Sequence, residues 1–150
     1  MALRKIRTGS DPVLRKICKP VGAVNQSILT LIDDMADTMY NAEGVGLAAP
    51  QVGVLRRVVV VDVGDGLVEL INPQIIQSSG VQLGPEGCLS IPGASASVER
   101  PSYVKVKALN RNGEEVIVEG KDFMARAICH ELDHLDGILY IDKAVSEIEY

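Results

Sequence analysis

Aromatic side chains are scarce in this chain, which has no Trp, one Phe and four Tyr among its 150 residues. Its core must therefore be largely aliphatic, and the 47% apolar content supplies one. No apolar run approaches the length of a membrane-spanning helix. The basic start "MALRKIR" is not followed by the apolar stretch of a signal peptide. Cysteine is sparse as well: Cys18, Cys88 and Cys129 are an odd number at irregular spacings. That pattern argues against a disulfide framework and for a reducing, cytoplasmic setting. Positive charge is in deficit, with a net charge of −5, which argues against a broad nucleic-acid-binding surface.

What remains is enough for one domain spanning residues 1–150. "SDPVLRKI" predicts a short helix, capped by Ser10 or Asp11 with Pro12 in its first turn. "NQSILTLIDDMADTMYNAEG" predicts a long amphipathic helix: Asn25 caps it, Ile28, Leu31, Ile32, Met35 and Met39 share a face, and Gly44 ends it. "RVVVVDV" (57–63) predicts a buried strand, and "LVELINPQII" a second, closed or bent at Asn72-Pro73. From Gly80 to Pro101 the Gly, Ser and Pro content predicts an irregular segment with little strand. "YVKVKALNRNGEEVIVEG" alternates on both sides of Asn112-Gly113 and predicts a hairpin. A last helix is expected from near Asp122 to Gly137. Strands grouped between two main helices make the class α+β with antiparallel pairing.

"EGVGLAAPQV" (43–52) fits a loose G-x-G-x-x-A dinucleotide fingerprint through Gly44, Gly46 and Ala49. Such a loop must follow a strand and open a helix. This one follows a helix, and Pro50 interrupts whatever helix would come next, so it is no phosphate cradle. Either it is a plain turn, or its glycines let another backbone approach, as along a peptide-binding edge.

The only two histidines lie in "HELDH". His130 and His134 are one helical turn apart and project from one face, a spacing that suits two ligands of one metal. Glu131 between them can reach the attacking water. A catalytic site needs a third protein ligand. The longer H-E-x-x-H-x-x-G-x-x-H pattern holds through Gly137 but has Tyr140 in place of the last His. Glu147 or Glu149 near the C-terminus are candidates, and so is Cys88 in "EGCLS". Cys129 is rotated about 100° from His130 around the helix and should not join it; with Cys18 it reads as a small buried hydrophobe.

"GVGLAAPQ" (44–51), "EGCLS" (86–90) and "HELDH" (130–134) resemble, in order and spacing, the three signature motifs of the peptide deformylases. The resemblance extends to "SDPVLR" and "LINP", and so over nearly the whole chain. It implies antiparallel sheets packed around a central C-terminal helix that carries the H-E-x-x-H motif. It also implies removal of the formyl group from the formylmethionine of nascent chains. Carried over, Cys88, His130 and His134 bind one divalent metal, ferrous iron in the cell, with zinc, nickel or cobalt as alternatives. Glu131 is then the general acid/base, and Gln51 with the Leu89 backbone N–H stabilises the oxyanion. Gly44, Val45 and Gly46 would accept the substrate by strand addition. Phe123 and Ala127, on the face of His130, are candidates for the methionine pocket, and Glu86 with Arg100 for a brace around the cysteine segment.

Many bacterial members of this family continue into a basic C-terminal helix that contacts the ribosome, whereas this chain ends in "SEIEY". Ribosome contact is accordingly expected to be weak or altered, whether the short end is natural or truncated. Three rival functions remain at this level. A zinc endopeptidase would use Glu147 or Glu149 as third ligand, a thiol hydrolase would use Cys88 as nucleophile, and a non-catalytic relative would only bind metal or peptide.

Overall fold

In the computed structural model, which describes residues 2–150, a five-stranded antiparallel sheet lies between two helices. The first helix, α1 (Gln26–Asn41), starts where Asn25 accepts the Ile28 N–H on its side chain at 3.1 Å. Its buried stripe is Ile28, Leu31, Ile32, Met35 and Met39. The sheet contains β1 (Gly46–Ala48), β2 (Val58–Val61), β3 (Val68–Ser79), β6 (Tyr103–Leu109) and β7 (Glu115–Lys121), in the order β1-β2-β3-β6-β7. The second helix, α2 (Phe123–Leu135), carries "HELDH" and packs on the opposite face.

Alternation explains why β2 is buried on both sides. Val58 and Val60 join the cluster under α1, while Val59 and Val61 join the one under α2. A second, two-stranded sheet of β4 (Gln82–Cys88) and β5 (Ile91–Arg100) covers the other side of α2. The central helix between antiparallel sheets is thus the expected α+β arrangement. No helix among the described residues is long and apolar enough to cross a membrane.

Three expectations change. Residues 80–101 are mostly strand, because β4 and β5 pair from Gln82↔Arg100 to Cys88↔Ile91. Their buried positions include Ala94, Ala96 and Val98, and the last two pack against Tyr140 and the C-terminal segment. The low bulk that suggested a loop is a packing requirement. "SDPVLRKI" forms only one 3₁₀ turn, Pro12–Arg15, since Leu14 is its single buried side chain and Lys16 is already extended. Gly44 does not end α1: Glu43 takes the left-handed conformation (φ 59°), and the Gly44 N–H donates to the Met39 carbonyl.

Other expectations hold. β3 bends at Asn72 (φ 51°), whose side chain exchanges two hydrogen bonds with the Val21 backbone. β6 and β7 form the hairpin, with Asn110 organising its turn through the Asn112 and Glu114 N–H groups. Gly137 (φ 73°) closes α2, and a Cβ there would collide with the Arg15 carbonyl at 2.6 Å.

Candidate active site

Three separate segments bring the motif residues together. α2 presents His130 and His134 from one face, their ring centroids 5.1 Å apart. β4 ends at Cys88, whose Sγ lies 3.3 Å from His134 Nε2. One ligand atom from each of Cys88, His130 and His134 lies within 4.8 Å of the other two. Glu147 and Glu149 are exposed and outside this group, and Glu149 instead bridges to Ser95 beside β5. Cys129 faces away into the core cluster under β2, and burial pushes its thiol up to about 11; the same effect acts on Cys18.

Each site residue is held by its neighbours. His130 Nδ1 meets Glu86 Oε1 at 2.8 Å, leaving Nε2 free to face Cys88 and His134. Glu86 is gripped by the Arg100 fork at 2.8 and 2.9 Å and by Arg126 Nη1 at 2.6 Å. Burial alone would raise the Glu86 carboxyl, but these partners and His130 outweigh it and pull it down to about 2. The expected Glu86–Arg100 brace is therefore present. Gln51 is fully fixed: its Oε1 accepts the Ala48 N–H at 2.9 Å, and its Nε2 donates to Ser90 Oγ at 3.1 Å. The same Nε2 lies 3.7 Å from Cys88 Sγ. The N-terminal segment ties both backbones, with Arg7 N–H donating to the Gln51 carbonyl and Gly9 N–H to that of Ser90.

Glu131 is buried, and its Oε1 has no hydrogen-bond partner among the described residues. Burial pushes its carboxyl up to about 7, aided by Glu86 and Asp133 and opposed by His130 and Arg100. Burial likewise pushes His134 down to about 3, with the His130 charge adding to it, so its imidazole is neutral. His134 Nδ1 is also unpartnered. A neutral imidazole, a second imidazole oriented through its far nitrogen, and a nearby thiol form a donor set that fits a divalent transition metal.

Gly44 and Gly46 acquire a specific reason. A Cβ on Gly46 would lie 2.5 Å from Glu131 Oε2, and one on Gly44 would lie 2.7 Å from Leu89 Cδ1. They make room for this chain's own side chains. The far side of β1 has no strand partner among the described residues, since β1 is the edge of the sheet, and Val45 beside it is 40% exposed. A cleft of about 540 Å³ opens here, and Gly44, Val45, Gly46, Leu89, Phe123 and Ala127 all line it. Sequence reasoning missed three contributors: Ser90, Arg126 and Asp133. The first and last lie inside the quoted motifs, and Arg126, four residues before His130, shares its helix face.

A buried carboxylate beside a Cys-His-His cluster, at the head of an open cleft, is the arrangement of a metal-dependent hydrolase. Residues 3–149 match the family described as polypeptide deformylase. The peptide deformylase of Acetivibrio thermocellus is 60% identical over 99% of this chain and 88% of its own. That of Alkaliphilus metalliredigens is 58% identical over 98% and 100%. The crystal structure of peptide deformylase from Thermotoga maritima superposes with a TM-score of 0.92 at 45% identity, covering 95% of this chain and 97% of the other. This chain belongs to the polypeptide deformylase family, metal-dependent hydrolases that remove the N-formyl group from nascent polypeptides.

Proposed function

We propose that Cys88, His130 and His134 hold one divalent metal ion, and that Glu131 moves the proton in deformylation. The observation that carries this reading is the convergence of three ligand atoms within 4.8 Å of one another beside a buried, unpartnered carboxylate. When bound, the ion supplies Lewis-acid polarisation of water and of the formyl carbonyl. Glu131 takes the proton of the attacking water on its carboxylate and delivers it to the amine nitrogen as the C–N bond breaks. Its unpartnered Oε1 leaves an oxygen free for both halves of that task. Gln51 Nε2, held in place by Ala48 and Ser90, and the Leu89 backbone N–H donate to the developing oxyanion.

Substrate enters extended along the free side of β1, at Gly44, Val45 and Gly46, adding a strand to the sheet edge. The methionine side chain lies in the cleft against Phe123 and Ala127. The peptide deformylase of Synechococcus elongatus was crystallised in complex with actinonin, and this chain superposes on it with a TM-score of 0.91. The matching cleft should bind actinonin as well. Thiolate and imidazole donors suit iron, zinc, nickel or cobalt, and ferrous iron is the working ion in our reading. Anaerobic purification with elemental analysis, followed by formate release from a formyl-Met peptide on the same sample, tests both points. Stoichiometric iron with formate release supports the reading; release that survives complete metal removal overturns it.

A further inference from the structure

The fourth residue of "HELDH" has no part in the chemistry above, yet it closes a ring of polar contacts around the cluster. Asp133 Oδ2 accepts from Arg100 Nη1 at 2.6 Å. The other two nitrogens of Arg100 grip Glu86, at the β4 end that carries Cys88. Glu86 Oε1 in turn meets His130 Nδ1, three residues before Asp133 on α2. The ring thus runs from helix to strand and back to the helix.

The strand ladder does not do this job alone. β4 and β5 pair regularly up to Glu86↔Ala96, and the next pair is Cys88↔Ile91, so the register breaks between Glu86 and Cys88. The last regular pair before the thiol is the one whose side chain enters the ring. His130 and His134 differ from Cys88 in this respect, because the helix itself fixes their spacing. We propose that Asp133, acting through Arg100 and Glu86, is a positioning residue that sets the distance of the Cys88 thiol from the two imidazoles.

Charge balance shows how. Arg100 is 4% exposed and its charge is met by Glu86 and Asp133, while Arg126 also pairs with Glu86 and the exposed Lys143 with Asp133. Removing the Asp133 charge leaves a buried cation short of a partner beside the cluster. The Arg100 fork then turns, and its grip on Glu86 weakens. The helix still sets the spacing of the two imidazoles, while the strand that carries Cys88 is released.

This inference rests on the reading of Cys88, His130 and His134 as the ligands, and cobalt distinguishes the two. The protein is loaded with one equivalent of Co²⁺, and the near-ultraviolet thiolate-to-cobalt absorption is recorded alongside the rate of cobalt loss to a chelator. The parent should show the thiolate band and Cys88→Ala should lack it; a parent without the band overturns the ligand reading and this inference with it. Asp133→Asn and Arg100→Lys should each weaken the band and speed cobalt loss about 10- to 100-fold. Asp133→Glu should restore most of both, and Lys143→Ala, which removes the exposed partner of Asp133, should leave both unchanged. A full-strength band with parental release in Asp133→Asn or, should that variant not fold, in Arg100→Lys overturns the proposal. So does faster release with the band intact, which would mark a merely structural role.

Discussion

Gly46 and Glu131 are in such close contact that a methyl group on the glycine would sit 2.5 Å from one carboxylate oxygen and 2.9 Å from the carboxyl carbon. Gly46 does not need glycine for its backbone, because its φ is not positive. The contact is with the side chain alone. Gly46→Ala should therefore fold and keep its metal while displacing Glu131, with kcat lower by about 100-fold. Formate release and elemental analysis on one preparation check this; full activity would show that Glu131 tolerates displacement and is not the base.

Gln51 reaches the site only because Ala48 and Ser90 hold its two ends. Gln51→Leu removes the proposed donor to the oxyanion and should lower kcat by about 100-fold. Ser90→Ala frees the amide to turn and should have a smaller effect in the same direction. Metal content should be unchanged in both. A Ser90→Ala loss larger than that of Gln51→Leu would mean that Ser90 has a role of its own.

Glu86 couples the site to stability. Its folded pKa of about 2 lies below the ordinary value of 4.5, so its contribution is present above pH 4.5 and is lost as pH falls toward 2. At neutral pH that contribution is of the order of about 3 kcal/mol. Glu86→Gln should be less stable than the parent in urea unfolding at pH 7, and the gap should narrow steadily below pH 4.5. A gap that stays constant down to pH 2 would place its origin in packing and not in the Glu86 charge.

Spacing maps onto geometry for one part of the candidate site, and the rest of it came through the family resemblance. The i, i+4 pair in "HELDH" must share a face of any helix, and "EGCLS" offers one candidate thiol. The third-ligand ambiguity could not be closed by spacing, because only the fold shows Glu149 held beside β5 and Cys88 beside His134. The β4–β5 sheet was hidden for a related reason: its Ala96 and Val98 answer to packing against Tyr140 and the C-terminal segment, a tertiary demand that local propensity cannot reveal. Glycines 44 and 46 pointed to close approach, but the sequence could not say that the approaching groups were Leu89 and Glu131. Ser90, Arg126 and Asp133 act by holding other residues, and that role leaves no pattern of its own.

The most direct measurement compares Glu131→Gln with His134→Ala and the parent, scoring metal content and formate release from a formyl-Met peptide on the same preparations. Glu131→Gln keeps the size of the side chain and all three proposed ligands but removes the proposed base. It should retain metal near the parental level while losing about two to four orders of magnitude in rate. His134→Ala should lose the metal itself, with some stability, because a bound ion favours the folded chain. Loss of metal from Glu131→Gln as complete as from His134→Ala, or full activity in Glu131→Gln, would contradict the role assigned to Glu131.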